Sequence, residues 1–290
     1  MKQQLGIILH TNNPTEYFAV AHPSMCHLVP MLSVVNVALL FNFQPPWTPT
    51  QIVQVYEDLE RMRFEVAHVY SRPKPIVSTY KLRHDAAALK PTVDWWMYCD
   101  DNLCFAAEGT PAYPGGSAVR YLEVLDYFNT FPNCGVVMCE GSLGGHAAKR
   151  QIRPTTNGLI STARGLFFRN TTGGQLHTTE EYRLKGGMGE IAPAYRLMSE
   201  GYFLAKQFNN PTRHLHKHRL SDDVPATHVT NYEKVIKPNA ERYIRDVYDD
   251  PEWTLEQRYI PDTVKASYRL HGGDGRAFER PSPYWREYPR

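Results

Sequence analysis

Up to Asp101 the chain alternates short apolar runs with amphipathic stretches, a pattern that restricts it to a sheet of mainly parallel strands joined by helical crossovers. Gly6 to Thr11 is the first run, closed by the turn-forming Asn12, Asn13 and Pro14. Asn36 to Phe43 is the second, closed by Pro45 and Pro46; Phe64 to Tyr70 is the third and Asp94 to Asp100 the fourth. Between the second and third, Thr48 is a natural N-cap with Pro49 at the first helical position, and Ile52, Val53, Tyr56, Leu59 and Met62 recur at helical spacing. Ser78 to Leu89 carries another helical pattern that ends before Pro91. From about Tyr17 to Val35 a helix is expected, broken or kinked at Pro23 and Pro30.

With 290 residues the chain can form one large α/β domain or two small ones and bury a sizeable core. An apolar share of 42% and a charged share of 21% argue for a folded rather than a disordered chain. The formal charge of +2 is too mild to announce a nucleic-acid binder and does not oppose an anionic substrate. Leu28 to Phe41, the longest greasy stretch, is too short for a membrane span and is interrupted by Pro30, Ser33 and Asn36. The N-terminal residues lack the apolar segment and cleavage site of a signal peptide. A cytoplasmic protein with no membrane span is therefore expected. Five cysteines form no Cys-x-x-Cys pair, and their odd number fits reduced core thiols better than a disulfide framework or a zinc site.

The fourth run stops abruptly at Asp100-Asp101-Asn102, which puts oxygen ligands at a strand's carboxyl end. In open α/β sheets that edge binds ligands, and Mg²⁺ or Mn²⁺ is commonly held there by one or two carboxylates with substrate phosphates completing the shell. The other reading is a plain Asp/Asn turn, since the same residues favour turns. Thr11 with Asn12, and Asn42, also fall at strand ends. Three polar strand ends converging on one cleft favour a metal-bound phosphorylated substrate.

The second half is looser. A helix is expected from about Ala118 to Phe128, a strand over Gly135 to Cys139, and extended structure over Arg164 to Arg169. Gly141 to Arg153 is basic and glycine-rich. Glu190 opens a helical stretch carrying Ile191, Tyr195, Leu197 and Met198, where the helix dipole explains a carboxylate as readily as catalysis does. His214, His216 and His218 stand at every second position, which in a strand turns all three to one face, suited to metal or phosphate contacts. A solvated polar loop is the alternative. From about Asp222 the chain turns polar and aromatic, with Tyr243, Tyr248, Trp253, Tyr259, Tyr268, Tyr284, Trp285 and Tyr288 among many arginines. Such a segment suits either a groove for a polyanion or a cover for apolar surface.

In their order these parts resemble the nucleotide half of the GT-A fold glycosyltransferases, particularly the family 2 type: a strand ending in Thr, a second ending in Asp or Asn, a basic helix, and an acidic strand end. The Arg-Asn pair that the family carries on the helix before the metal strand has its place taken by Lys81-Leu82-Arg83-His84-Asp85. The family's Asp-x-Asp motif is matched by Asp100-Asp101-Asn102, whose final Asn keeps an oxygen ligand and removes one negative charge. Asn42 departs from the commoner aspartate.

The resemblance covers roughly residues 5 to 220 and implies an α/β GT-A fold with a mostly parallel sheet flanked by helices. Residues 1–105 would be the nucleotide-sugar half, 106–220 the acceptor half, and 221–290 a C-terminal accessory segment. Thr11 and Asn42 would contact the nucleoside, and Arg83, with Lys81 and Asp85 beside it, the ribose or phosphate region. Asp100 with Asn102 would hold Mn²⁺ or Mg²⁺, with Asp101 in the same nucleotide-sugar site. One of His214, His216 and His218 would complete the metal shell or touch the diphosphate. Glu190, a single carboxylate where the family commonly has a Glu-Asp pair, would be the general base on the acceptor hydroxyl. The implied activity is metal-dependent transfer from a nucleoside-diphosphate sugar, a UDP-sugar first, with inversion. Candidate acceptors are a hydroxymethylated DNA base, as in phage enzymes that glycosylate modified pyrimidines, and a saccharide, lipid-linked or protein hydroxyl. A nucleotidyltransferase acting on sugar phosphates would also use a strand-end carboxylate, but commonly with a glycine-rich phosphate loop that His10-Thr11-Asn12-Asn13 does not form. A non-catalytic nucleotide-binding module is the remaining alternative.

Overall fold

In the first strand the positions Leu5 to Leu9 are buried on both faces, the mark of a central strand in a parallel sheet. The computed structural model describes residues 2–43, 45–71, 79–109, 115–139, 152–155, 164–171, 197, 202–208 and 210–215. Through these the chain runs β1 (Gln4–Thr11), α1 (Pro14–Ala19), α2 (Ala21–Ser24), a 3-10 helix over Met25–Ser33, β2 (Asn36–Phe43), α3 (Pro49–Arg61), β3 (Glu65–Ser71) and α4 (Thr79–Leu89). It continues with β4 (Trp95–Asp100), β5 (Leu103–Cys104), α5 (Gly116–Thr130), β6 (Cys134–Cys139), β7 (Ile152–Thr155), β8 (Leu166–Arg169), β9 (Phe203–Gln207) and β10 (Arg213–His214). Eight strands form one sheet in the order β3-β2-β1-β4-β8-β6-β9-β7, and β5 pairs with β10 beside it.

The pairs β1–β2, β1–β4, β2–β3 and β6–β9 are parallel, while β8 runs antiparallel to both β4 and β6. Because β2 and β3 lie to one side of β1 and β4 to the other, strand order reverses between β1 and β4. That reversal opens a crevice at their carboxyl ends. Parallel neighbours in register share a face. Gly6, Ile8 and His10 therefore lie on one face with Trp96, Tyr98 and Asp100 and with Ala38, Leu40 and Asn42. Helix α4 packs over that face against β1, β2 and β3. Gly6 is dictated by it, since a Cβ there would overlap the Trp96 ring. The opposite face carries Leu9, Thr11, Phe41, Phe43 and Trp95, meeting Tyr17 of α1 and Phe128 of α5.

Local chemistry explains most boundaries. Thr48 accepts a hydrogen bond from the Gln51 amide at 3.3 Å while Gln51 Oε1 accepts from the Thr48 amide at 2.9 Å, a capping box that starts α3. Asn13 caps α1 by accepting from the Glu16 amide at 3.1 Å. The helix expected from Tyr17 to Val35 is instead the short α1 and α2 followed by the 3-10 turns, because Pro23 and Pro30 supply no N–H to a continuous α-helical ladder. Strands β7 and β9 have no counterpart in the sequence reading. Pro154 is tolerated because β7 is the edge of the sheet. Gln207 is fully buried in β9 because its amide donates to the Arg120 carbonyl and accepts from Asn210 Nδ2 at 2.8 Å.

All five cysteines are free thiols, with Cys99, Cys134 and Cys139 buried. No helix among the described residues is long and apolar enough to cross a membrane. The stretch following Glu190, apart from Leu197, and the segment 216–290 lie outside the described residues.

Candidate functional site

Register builds the crevice. His10 stands opposite Asn42 on β2 and opposite Asp100 on β4, so the three form a row across neighbouring strands on the α4 face. Asn42 is buried, and so is Arg83, whose guanidinium lies over the Tyr98 ring at 4.1 Å from its centroid. Burial, and after it the Arg83 charge, hold the His10 imidazole down at about 4, so the ring is neutral near neutral pH. Its Nδ1 is buried with no hydrogen-bond partner among the described residues. Asp85 lies further along α4, half-buried.

The opposite wall is built around Thr11, which is fully buried. Its hydroxyl accepts from Trp47 Nε1 at 3.3 Å and from the Asn13 amide at 3.4 Å. Burial pushes Asp101 up to about 6; the nearby Thr11 hydroxyl opposes that shift, and the carboxylates of Glu16 and Asp100 add to it. Trp47, at the carboxyl end of β2, is held by Phe43 at 4.8 Å and by Tyr17 and Phe18 at 5.5 Å each, ring centroid to ring centroid.

A distant segment joins the same place. Strand β10 pairs antiparallel with β5, setting His214 opposite Leu103, and the Leu215 amide donates to the Asn102 carbonyl at 3.0 Å. This segment is anchored from below. Thr212 Oγ1 lies 2.8 Å from both the Ser117 and the Tyr121 hydroxyls of α5, and Arg164 donates to the Asn210 and Thr212 carbonyls at 3.1 and 2.9 Å.

The structure thus gathers Thr11, Asn42, Arg83, Asp100, Asp101 and Asn102 at one crevice, with the His214 backbone against its acidic turn. Glu190, His216 and His218, and the side chains of Lys81 and His214, lie outside the described residues. Sequence reading passed over His10 and Trp47. The only signal for the former was its place at a strand end, and for the latter a lone indole just after Pro45-Pro46. The donor set suits a hard divalent cation: a carboxylate and an amide oxygen on a turn where carboxylates crowd together. Among the described residues no group of three His, Cys, Asp or Glu encloses a cation. A site that takes its remaining ligands from a diphosphate and water needs no such cage.

Comparison with known proteins finds no matching family and no matching curated sequence. It does find the fold. The mannosyltransferase PcManGT from Pyrobaculum calidifontis, in complex with GDP-Man and Mn²⁺, is similar with a TM-score of 0.53 at 9% identity, over 96% of this chain and 70% of that one. TarS 1-349 from S. aureus in complex with UDP-GlcNAc is similar with a TM-score of 0.46 at 12% identity, over 93% of this chain and 85% of that one. GalNAc-T7 with UDP, GalNAc and Mn²⁺ reaches 0.48 at 8% identity, over 93% and 55%. The chain therefore has the GT-A fold, the one that the order of its strand ends implied.

Proposed function

We propose that the protein is a metal-dependent glycosyltransferase that moves a sugar from a nucleoside-diphosphate sugar, a UDP-sugar first, to an acceptor hydroxyl. The observation that carries this reading is the row His10, Asn42 and Asp100 at the switch point of a GT-A sheet, with an acidic turn beside it. The similar mannosyltransferase, bound to GDP-Man and Mn²⁺, supports it. In this reading residues 1–105 bind the donor, 106–220 the acceptor, and 221–290 form an accessory segment.

Thr11 and Asn42 contact the nucleoside, and Arg83 the ribose or phosphate region. Asp100 and Asn102 are the protein's ligands for Mn²⁺ or Mg²⁺, and one of His214, His216 and His218 approaches the same diphosphate, with Lys81 and Asp85 flanking on the α4 side. Departure of the nucleoside diphosphate leaves charge on the β-phosphate, and a divalent ion held by Asp100 and Asn102 would supply stabilisation of that charge. The buried Arg83 acts in the same direction. Glu190 takes the proton of the acceptor hydroxyl as it attacks the anomeric carbon, which gives inversion. A hydroxymethylated DNA base is one proposed acceptor, suited by the basic residues Lys149, Arg150 and Arg153 and the arginine-rich tail, alongside saccharide, lipid-linked and protein hydroxyls.

Titration calorimetry with UDP and GDP, with and without Mn²⁺, tests the donor site. Mn²⁺ should tighten nucleotide binding, and Asp100→Ala should remove that gain, about tenfold or more. Binding indifferent to both metal and mutation would overturn the mechanism. Mass spectrometry of hydroxymethylated DNA and of saccharides after incubation with nucleotide sugars identifies the acceptor.

A further inference from the structure

We propose that His10 recognises the sugar ring of the bound nucleotide: its imidazole hydrogen-bonds a ribose hydroxyl and so selects a ribonucleotide donor over a deoxyribonucleotide. This rests on the glycosyltransferase reading above.

Register sets the place of the ring. On the α4 face of the sheet the row behind His10 is Ile8 with Leu40 and Tyr98, all buried, and the row behind that is Gly6 with Ala38 and Trp96. His10, Asn42 and Asp100 are the first row on this face in which all three side chains are polar, and they stand at the carboxyl edge. Neighbouring strands lie about 4.8 Å apart, so the row spans about 10 Å from β2 to β4 with His10 in its middle. In a nucleoside diphosphate the ribose joins the base to the phosphates. A nucleotide with its base toward Asn42 and its phosphates toward Asp100 thus lays its ribose across β1.

The chemistry of the ring agrees with that place. Nδ1 is buried with no hydrogen-bond partner among the described residues, while His10 as a whole is only half-buried, so the protein does not close over the ring. A buried polar atom without a partner is costly and uncommon, and a ligand-binding role is one of the few reasons to keep it. An imidazole nitrogen donates or accepts according to its tautomer, and a hydroxyl does both, so a ribose hydroxyl suits either form. A phosphate oxygen only accepts. Arg83, buried on the same face with its guanidinium over the Tyr98 ring, is the better donor for it because it is always charged. The two side chains therefore divide the nucleotide between them, the imidazole taking the sugar and the guanidinium the phosphate.

Titration calorimetry of the full chain with UDP, 2′-deoxy-UDP and 3′-deoxy-UDP, all with Mn²⁺ present, tests the assignment. Wild type should favour UDP over at least one of the two analogues by about three- to tenfold, the worth of one hydrogen bond. His10→Phe keeps a ring and removes both nitrogens. It should bring that ratio to about one by weakening UDP, with the deoxy analogue held to within about twofold of its wild-type affinity. His10→Gln returns a group that donates and accepts, and should restore the preference for UDP. A general distortion of the crevice would weaken all three nucleotides alike and leave the ratio standing, and that result overturns the proposal. If His10→Phe fails to fold, His10→Leu removes the nitrogens with a smaller side chain and is read in the same way. A wild-type chain that binds neither UDP nor GDP, with or without Mn²⁺, overturns the underlying function together with this proposal. Normal UDP binding with both deoxy analogues bound equally well overturns this proposal alone.

Discussion

At the residue scale His10 is the group whose surroundings most change its chemistry. Its imidazole titrates at about 4 in the fold instead of near 6.5, because burial and the Arg83 charge disfavour the cation. Below the ordinary value the unfolded chain binds a proton that the folded one refuses. Stability contributed by neutral His10 is therefore complete above pH 6.5 and is lost as pH falls toward 4. His10→Gln should flatten the fall in urea-unfolding free energy across that window, and an unchanged slope would mean that other groups set it. The residues of the crevice divide by how they could be read. Asp100, Asn102 and Asn42 were legible because a polar side chain ending an apolar run is a local signal. His10 and Trp47 were not, because their meaning comes from register and from rings contributed by α1 and β2.

At the scale of elements, strands β1 to β4 and helix α3 were legible because local pattern and burial agree: apolar runs make buried strands, and Thr48-Pro49 with Gln51 makes a helix start. Strand β9 shows where agreement fails. Lys206 and Gln207 look like loop residues, yet both are buried, and Gln207 is held by Arg120, far away in sequence, as well as by its near neighbour Asn210. Its amide also accepts from the Cys139 thiol of β6 at 3.4 Å, tying two strands through one side chain. Gln207→Ala should lower stability by about 1–3 kcal/mol, since Asn210 Nδ2 loses its acceptor in a buried place. Chemical denaturation measures it directly. Gln207→Glu would keep the acceptor and lose the donor, so it should be destabilising as well, and a neutral outcome for either variant would show that β9 is held by its backbone pairs alone.

For the whole molecule, the proposed function would divide two tasks across the sheet, meeting at the acidic turn. The crevice proposed for the donor is built from β1, β2, β4 and α4, all within the first part of the chain. The pairing of β10 with β5 then ties a segment from the far end of the described chain to the carbonyl of Asn102. In the proposed function a side chain of the intervening sequence acts on the acceptor, and Glu190 is the carboxylate proposed for it. Glu190→Gln should abolish transfer, a loss of about 100-fold or more for a missing general base. Nucleotide affinity in the presence of Mn²⁺ should stay near the wild-type value, because no donor contact is assigned to that residue. Turnover by mass spectrometry and affinity by calorimetry on the same preparation distinguish the outcomes. Loss of both would move Glu190 into the donor site, and full turnover would remove it from the mechanism, leaving the proton to be taken by another group in the acceptor half.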